Sequence, residues 1–423
     1  MRSGVIEAGP GTAFPDGSTD RPAYPARPLP ATTETIVPGI VDALLRNRDA
    51  LHSVLTRVAT AEAATDELFR SMRALSGAPW ELLRNSPHRL GRLATFLPSN
   101  NLLYSYVLFG VIPSLYTDEV RIRPSARVAP AAMAVHEILG PQLRGLGGGR
   151  IIMAPSSQRE FLADCASSDA VVFTGQPDNG AAVAARLPAD AMLLTFGSGP
   201  NPLVVGPEAD PETICRTVLD ARLYNSGQDC LCTDIVLVHR SLVGEVVPRL
   251  ADALSGVRVG DRRDPGTRVA PLVYPDAVED AAGFLAAHRE FTVQGGEVDV
   301  ARHIVEPTLL HLPWQDAFHP PEFFSPVVCV MEYDDHGQIT RWLHSPEETA
   351  RGMYVQVFGE PALAGAARVS TSVVCHERIT FDAEDGNKPF GGFGPRAGSV
   401  RRNGTATGRP LLLSAEAGIR AGS

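Results

Sequence analysis

The pattern of apolar and polar positions changes character along the chain. From Ile36 to about Leu97 the apolar residues recur at helical spacing, as in IVPGIVDALLRNRDALHSVL, which predicts a segment dominated by helices. Beyond Leu97, short apolar runs such as EVRIRPS, GRIIMAPSS, DAVVFTGQ and AMLLTFGSG alternate with helical stretches such as NGAAVAARL. This alternation predicts a parallel sheet covered by helices, and therefore an α/β fold.

Small or polar residues follow each of these predicted strands. The runs end at Pro124-Ser125, Pro155-Ser156, Thr174-Gly175 and Gly197-Ser198. Ligands of open parallel α/β sheets bind at the carboxyl ends of the strands, so these positions predict a binding site. A nucleotide is the ligand class that we expect, although the chain contains no GxGxxG fingerprint and no GxxxxGK[ST] loop.

A second α/β region follows, from the segment NPLVVGPEADPETICRTVLDARLYNSGQDCLCTDIVLVHRS to YVQVFGE. The opening of the chain is rich in Pro, Gly, Ser and Thr, which predicts a flexible leader over residues 1–35. We predict that residues 36–202 form N-terminal helices and a nucleotide-binding domain, that residues 203–395 form a catalytic domain, and that residues 396–423 form a C-terminal segment.

Composition narrows the class of protein. The 423 residues carry a formal net charge of -10, which provides no basic surface for nucleic acid or for an anionic membrane, so we expect a small-molecule ligand. No run reaches the length of a membrane span. The six cysteines have no zinc-type spacing, which predicts no metal site and favours a reducing, cytoplasmic setting.

The segment YNSGQDCLC, Tyr224–Cys232, contains the most informative motif, because it resembles the active-site segment of the aldehyde dehydrogenase superfamily with its GQxC nucleophile. LPSNN, RPS, FTGQ, EFFSPV and KPFGG are similar to further motifs of that family, in the family's order, over about Leu97 to Glu416. The resemblance implies a Rossmann-type cofactor domain, an α/β catalytic domain with Cys230 as nucleophile, and NADP or NAD as cofactor. Both ends of the chain are shorter than in typical members of the family, which implies a reduced oligomerisation element. We expect a homodimer.

Roles for individual residues follow from the same resemblance. Asn100 matches the asparagine whose amide stabilises the oxyanion together with the Cys230 backbone N–H, and Glu322 matches the glutamate that holds the nicotinamide ribose. Arg123 replaces a lysine, and Ala126 stands where a glutamate is frequent, which slightly favours NADP over NAD. The cofactor-binding residues implied by the resemblance are Pro98, Ser99, Arg123, Ser125, Thr174, Gly175, Gln176, Gly197, Glu322 and Phe324.

Cysteine chemistry requires a reactive thiolate. A thiolate adds to an aldehyde or displaces a thioester, so the mechanism calls for a depressed pKa at Cys230, which backbone N–H groups and a cationic nicotinamide ring would supply. Cys232 begins the apparent strand TDIVLVHRS, where strand alternation would place it on the same side as Cys230. We interpret Cys232 as a buried core thiol.

One departure from the family pattern bears on the reaction. Phe196 occupies the position of the family's general-base glutamate, and an aromatic hydrocarbon cannot activate water. The stretch GSGPNP, residues 197–202, is similar to the Gly-x-Gly-x-x-Pro of the acylating branch, which exchanges its acyl group with coenzyme A. This favours reduction of an acyl thioester, bound to coenzyme A or to an acyl carrier protein, or the reverse reaction. Oxidation of an aldehyde to an acid, and a catalytically silent binding protein, remain as alternatives.

Overall fold

The computed structural model describes residues 32–146 and 148–419 and contains two large sheets covered by helices. The first helix begins at Thr32, inside the leader expected over residues 1–35, and the rest of that segment lies outside the described residues. Within the described part of the chain, no helix is long and apolar enough to cross a membrane.

The described helices are α1 Thr32–Arg46, α2 Arg48–Leu55, α3 Ala61–Asn85, α4 Leu102–Tyr106, α5 Ala129–Gly145, α6 Gln158–Ala166, α7 Pro177–Ala184, α8 Pro211–Leu223, α9 Arg240–Ser255, α10 Pro275–Ala287, α11 His336–Leu343, α12 Pro346–Arg351, α13 Thr380–Ala383 and α14 Leu413–Gly418. The described strands are β1 Leu90–Leu97, β2 Thr117–Pro124, β3 Arg150–Met153, β4 Ala170–Thr174, β5 Met192–Phe196, β6 Leu203–Val205, β7 Ile235–His239, β8 Thr292–Gln294, β9 Val298–Asp299, β10 Ile304–Val305, β11 Thr308–Leu312, β12 Val327–Tyr333, β13 Tyr354–Phe358, β14 Arg368–Val369, β15 Ser372–His376, β16 Gly398–Arg402 and β17 Thr405–Gly408. Short 3-10 or π segments span Val107–Val111, Pro113–Leu115, Tyr224–Gly227, Arg289–Phe291 and Pro361–Leu363.

The first sheet has the strand order β17-β16-β5-β4-β1-β2-β3. Strands β1 to β5 are all parallel, and the order reverses between β1 and β4, as in a Rossmann-type fold. The C-terminal strand β16 returns to this sheet and pairs antiparallel with β5, so that Gly398 lies opposite Phe196. The α/β fold with a Rossmann-type domain, expected from the sequence, is thereby confirmed.

The second sheet contains the chain between those two visits, in the order β14-β15-β13-β6-β7-β12-β11-β8. Its central strands are parallel, and the two edge strands, β14 and β8, are antiparallel to their neighbours. Apolar side chains cover both faces: Leu237 and Val355 belong to one buried cluster, and Val236 and Val238 belong to the other. Burial on both faces explains why these strands read as continuous apolar runs.

The helical prediction over residues 36–97 is wrong for its last part. Leu90–Leu97 forms β1, a central strand of the first sheet, whose side chains alternate between two apolar clusters, with Leu93 in one and Ala94 and Phe96 in the other. A short apolar run that is buried on both sides has no period that separates strand from helix, so the spacing alone misleads. The segment before it is helical as expected, in α1, α2 and α3.

Candidate active site

A cavity of about 710 Å³ opens where the two sheets meet, and all twelve residues that the sequence selected for catalysis or cofactor binding line it. Four parallel strands direct their carboxyl ends towards it: β1 is followed by Pro98, β2 by Ser125, β4 by Gly175 and β5 by Gly197. The second sheet's region contributes Cys230, Glu322 and Phe324. The fold thus brings the sequence-selected residues together, while their individual roles stay predictions.

Cys230 lies in a turn and not in a strand. Asn201, which is fully buried and in the left-handed region at φ 40°, donates from its side-chain amide to the carbonyl oxygens of Cys230 at 2.7 Å and Cys232 at 3.2 Å. The hydroxyl of Thr380 donates to the Leu231 carbonyl at 2.6 Å. Three successive carbonyls are therefore held from outside the turn, which fixes the direction of the Cys230 side chain.

A buried ion pair supports this turn from behind. Arg222 and Asp234 are each about 1 % exposed and are hydrogen-bonded to each other. The Arg222 guanidinium also donates to the carbonyl of Gly227 at 2.7 Å, and Asp234 accepts from the backbone N–H of Phe323 at 3.0 Å. One charge pair therefore ties the nucleophile turn to the segment that carries Glu322.

The expected placement of Cys232 beside Cys230 is wrong. Strand β7 begins only at Ile235, so strand alternation does not extend back to the two cysteines. Cys232 is 2 % exposed, its thiol donates to the Tyr224 carbonyl at 3.8 Å, and it does not line the cavity, whereas Cys230 does. This position agrees with the interpretation of Cys232 as a buried core thiol.

The protein by itself raises the pKa of Cys230 well above its ordinary value, where the sequence argument called for a depressed one. Burial is the main cause, and the carboxylates of Asp229 and Glu322 add to it, while the Arg70 guanidinium opposes it. The described residues therefore hold the thiol in its protonated form at neutral pH.

Asn100 is oriented by Tyr274, a residue that no sequence motif indicated. The Tyr274 hydroxyl donates to the Oδ1 atom of Asn100 at 3.1 Å. Because this bond turns the amide oxygen towards Tyr274, the Nδ2 donor lies on the other side. The ring of Tyr274 packs edge-on against Phe324 at 5.3 Å. A side chain from the second sheet's region therefore sets the amide orientation of a residue that follows β1.

The next residue connects the same loop to the nucleophile. Asn101 donates from its side-chain amide to Asp229 at 2.5 Å, and the other Asp229 oxygen accepts from the backbone N–H of Leu231 at 2.8 Å. Asn101 has a left-handed backbone at φ 50°, a conformation that Asn tolerates better than most residues. Both residues neighbour motif positions, in SNN and QDC, which is the one sequence signal that could have identified them.

Unpartnered polar atoms surround the part of the cavity where the sequence predicts a cofactor. Neither carboxylate oxygen of Glu322 makes a hydrogen bond of good geometry with the described residues, although both are buried and the Ser198 side chain lies near, and the buried Thr174 hydroxyl also lacks a partner. Burial raises the pKa of Glu322 well above its ordinary value, and the carboxylate of Asp234 adds to this effect. Such atoms are satisfied by a ligand with several hydroxyl groups.

Arg123 and the two serines lie at the carboxyl ends of β1 and β2. The Arg123 guanidinium donates to the Ser156 carbonyl at 2.9 Å, and burial lowers its pKa from the usual range. The Ser99 hydroxyl donates to the Ser125 hydroxyl at 2.7 Å. This group offers one cation and two hydroxyls to the cavity.

Phe196 belongs to an aromatic wall. Its ring is 5 % exposed, with its centroid 4.9 Å from that of Phe109 and 6.1 Å from that of Phe390, which in turn packs against Tyr354 at 5.9 Å. All three phenylalanines line the cavity. The position that the sequence resemblance matches to the family's general-base glutamate is thus built into apolar packing.

A buried polar network lies beyond this wall. Arg70 pairs with Glu384 at 2.5 Å and lies 4.4 Å from the ring centroid of Tyr104, whose hydroxyl donates to Glu384 at 2.7 Å. Nearby, Glu67 accepts from the backbone N–H of Tyr104 at 3.0 Å, and burial raises its pKa to about 7. Sequence reasoning did not find these residues, since Arg70 and Glu67 belong to the helical region that precedes every motif.

Comparison with known proteins agrees with this architecture. The aldehyde dehydrogenase family matches residues 105–407. A succinate-semialdehyde dehydrogenase [NADP(+)] of Mycobacterium avium is 26% identical over 268 residues, which cover 61% of this chain and 56% of that protein, so the chain spans little more than half the length of this relative. An alpha-aminoadipic semialdehyde dehydrogenase of Mus musculus is 31% identical over 196 residues, 44% of this chain and 35% of that protein.

Solved structures extend the likeness over the whole fold. The crystal structure of a succinic semialdehyde dehydrogenase from Streptococcus pyogenes, in complex with NADP+, superposes with a TM-score of 0.77 over 91% of this chain and 88% of that one, at 18% identity. A glyceraldehyde-3-phosphate dehydrogenase from Methanocaldococcus jannaschii superposes with a TM-score of 0.74 over 89% of this chain and 87% of that one, at 17% identity. With the family match covering well over half of its residues, the chain belongs to the aldehyde dehydrogenase family.

Proposed function

We propose that the protein is an NAD(P)-dependent oxidoreductase that works through an acyl thioester on Cys230, and that it reduces an acyl thioester to an aldehyde or catalyses the reverse reaction. The observation that carries this proposal is the aromatic wall at Phe196. The cavity contains a cysteine and an asparagine amide whose oxygen is held by Tyr274, while the position that the sequence matches to the water-activating glutamate is apolar. A covalent acyl group at Cys230 would therefore not be hydrolysed quickly, and it would leave by transfer to a thiol or by reduction with a hydride.

The lining of the cavity fits a nicotinamide dinucleotide. The two unpartnered oxygens of Glu322 suit the vicinal hydroxyls of a ribose, and the Thr174 hydroxyl is likewise free to bond a ligand. Arg123 and Ala126, with no carboxylate between them, favour a 2'-phosphate, and three of the proteins above are named or solved with NADP. When bound, the cofactor supplies or accepts the hydride that interconverts the acyl and aldehyde oxidation levels.

The residues of the chain account for the acyl transfer. The Cys230 sulfur forms a bond to the carbonyl carbon of the incoming thioester, and the bond from that carbon to the leaving sulfur breaks, with the Cys230 proton passing to the departing thiolate. The Asn100 amide, held by Tyr274, donates to the oxygen on which negative charge develops. Because the pKa of Cys230 is raised, the thiol stays protonated until the ligand-bound site favours its ionisation.

Oxidation of an aldehyde to an acid is the second candidate. It is favoured by the glutamates that line the cavity, Glu81, Glu322 and Glu384, and by the names of the relatives, which are semialdehyde dehydrogenases. Burial raises the pKa of both Glu81 and Glu322, and a carboxylate with a raised pKa is a suitable general base. In this case one of these glutamates would activate water in place of the residue at position 196.

The test follows nicotinamide absorbance with purified protein, an aldehyde panel and NAD or NADP, with and without coenzyme A, alongside Cys230→Ala. We expect turnover that depends on both Cys230 and the added thiol. Thiol-independent turnover that yields an acid would replace the proposal by the second candidate. Equal silence of wild type and Cys230→Ala, together with tight nicotinamide binding, would favour a binding protein.

A further inference from the structure

One part of the cavity runs along the aromatic wall and is lined mainly by aromatic and aliphatic side chains. We define this part, the inner chamber, by Tyr104, Phe109, Tyr116, Phe196 and Phe390, all of which line the cavity together with leucines of the segment 411–413. Tyr116 precedes the first residue of β2, whereas Ser125 follows its last, so the cavity extends past both ends of an eight-residue strand. Tyr116 therefore lies at the opposite end of β2 from the predicted cofactor residue Ser125, whereas Phe196 adjoins the predicted cofactor residue Gly197.

The cations of the inner chamber are already neutralised. Arg70 is paired with Glu384 at 2.5 Å, and its remaining terminal nitrogen lies 3.9 Å from the carboxylate of Asp66. Lys388 is largely exposed and lies 3.1 Å from Asp385. In the described part of this chamber each cation therefore has a carboxylate within ion-pair distance, while the buried Nη1 of Arg70 makes no hydrogen bond.

The chamber's own acidic group adds to this effect. Glu81 lines the cavity, and it accepts a hydrogen bond from Asn387 at 2.7 Å. Burial raises its pKa, which shows that negative charge is disfavoured at this place. A second carboxylate, brought by a ligand, would lose its hydration among aromatic rings and would face Glu384 and Glu81 without a free cation to offset that loss.

We propose that the acyl group accepted by this site is uncharged and apolar, aliphatic or aromatic, and that the site rejects the ω-carboxylated acyl groups that the names of the semialdehyde relatives imply. This inference rests on the proposed function, because it assigns the inner chamber to the acyl group carried by Cys230. Burial of apolar ligand surface against Phe109, Phe196 and Phe390 provides the affinity. The paired state of Arg70 provides the selectivity.

A binding experiment with matched unreactive amides tests the inference. Succinamate and its methyl ester carry the same chain and differ in the terminal charge; hexanamide and benzamide sample longer and aromatic groups. Each is tested for protection of Cys230 against iodoacetamide, with the modified peptide quantified by mass spectrometry. We expect the methyl ester to protect at a concentration at least about tenfold lower than succinamate. Equal or better protection by succinamate would overturn the inference.

A variant reverses the selectivity if Arg70 is the determinant. Glu384→Gln removes the countercharge of Arg70 while the amide oxygen can still accept from Tyr104. We expect succinamate to protect the variant at a concentration at least about fivefold lower than it needs in wild type, with hexanamide unchanged. Asp118→Asn, an exposed carboxylate paired with Arg89, is the matched control. An unchanged ratio between the two amides in folded Glu384→Gln would contradict the assigned role of Arg70.

Protection does not require turnover, so failure of the inference and failure of the proposed function can be told apart. Selective protection by uncharged amides supports the inference even where the thioester assay is silent. Active thioester reduction with equal protection by both succinamate forms contradicts it. If Glu384→Gln does not fold, the comparison of the matched amides on wild-type protein still decides the question.

Discussion

Replacement of Tyr274 by Phe tests the orientation of the Asn100 amide. The substitution removes one neutral hydrogen bond, from the Tyr274 hydroxyl to Asn100 Oδ1 at 3.1 Å, and retains the ring that packs against Phe324. Such a bond contributes about 1 kcal/mol, which corresponds to about a fivefold fall in kcat. Asn100→Ala removes the oxyanion donor itself, for which about 3 kcal/mol, or roughly 100-fold, is expected.

A double-mutant cycle provides the refutation. If Tyr274 acts through Asn100, the double variant is no slower than Asn100→Ala alone, because the amide that Tyr274 orients is gone. The assay is the initial rate of nicotinamide absorbance change at saturating substrate, with KM measured separately. Additive losses, about 500-fold in the double variant by the product of the two estimates, would show that Tyr274 acts independently of Asn100. A change in KM with an unchanged kcat would place Tyr274 in substrate binding instead.

Three further outcomes are expected. Asp229→Asn removes a negative charge that raises the pKa of Cys230, so iodoacetamide should modify Cys230 faster at a given pH below that pKa. In the control variant Asp118→Asn the rate of modification should be unchanged. A slower reaction of Asp229→Asn would contradict the electrostatic argument. Arg222→Met leaves the Asp234 carboxylate buried and unpaired, and it should lower the free energy of unfolding in urea by about 3–5 kcal/mol. Adding Asp234→Asn should recover part of this loss. Equal loss in the single and the double variant would argue against the ion pair as the cause. The pKa of Glu67 is raised to about 7 in the folded protein. As the pH rises from about 4.5 to 7, the free energy of unfolding of wild type should therefore fall relative to that of Glu67→Gln, by up to about 3 kcal/mol. A parallel pH dependence of the two proteins would show that Glu67 is not the group responsible.

The sequence predicted the fold class and the residues that line the cavity, and it did so for different reasons. The parallel strands β2, β4 and β5 are short apolar runs that end in small residues, and these small residues mark the strand ends in the sequence. The site residues sit in short motifs whose order matched a known family. Strand β1 was misread as helix, since burial on both faces removes the alternation that identifies a strand.

What the sequence could not predict depends on contacts between distant parts of the chain. Tyr274 reaches Asn100 across 174 positions, and Arg70 reaches Glu384 across 314. Without the nicotinamide ring that the sequence argument invokes, the pKa of Cys230 is raised by burial and by neighbouring carboxylates that only the folded chain assembles. Neither residue periodicity nor a local motif contains this information.

The return of β16 to the first sheet determines how the cavity can open. The chain leaves this sheet after Phe196, builds the whole second sheet, and rejoins the first sheet at Gly398, so two separate crossings connect the two halves. A body attached at two points turns about the line that joins them, whereas one attached at a single point turns freely. Any relative rotation of the two halves should therefore be restricted to one axis, and a proteolytic cut between His376 and Gly398 would remove that restriction.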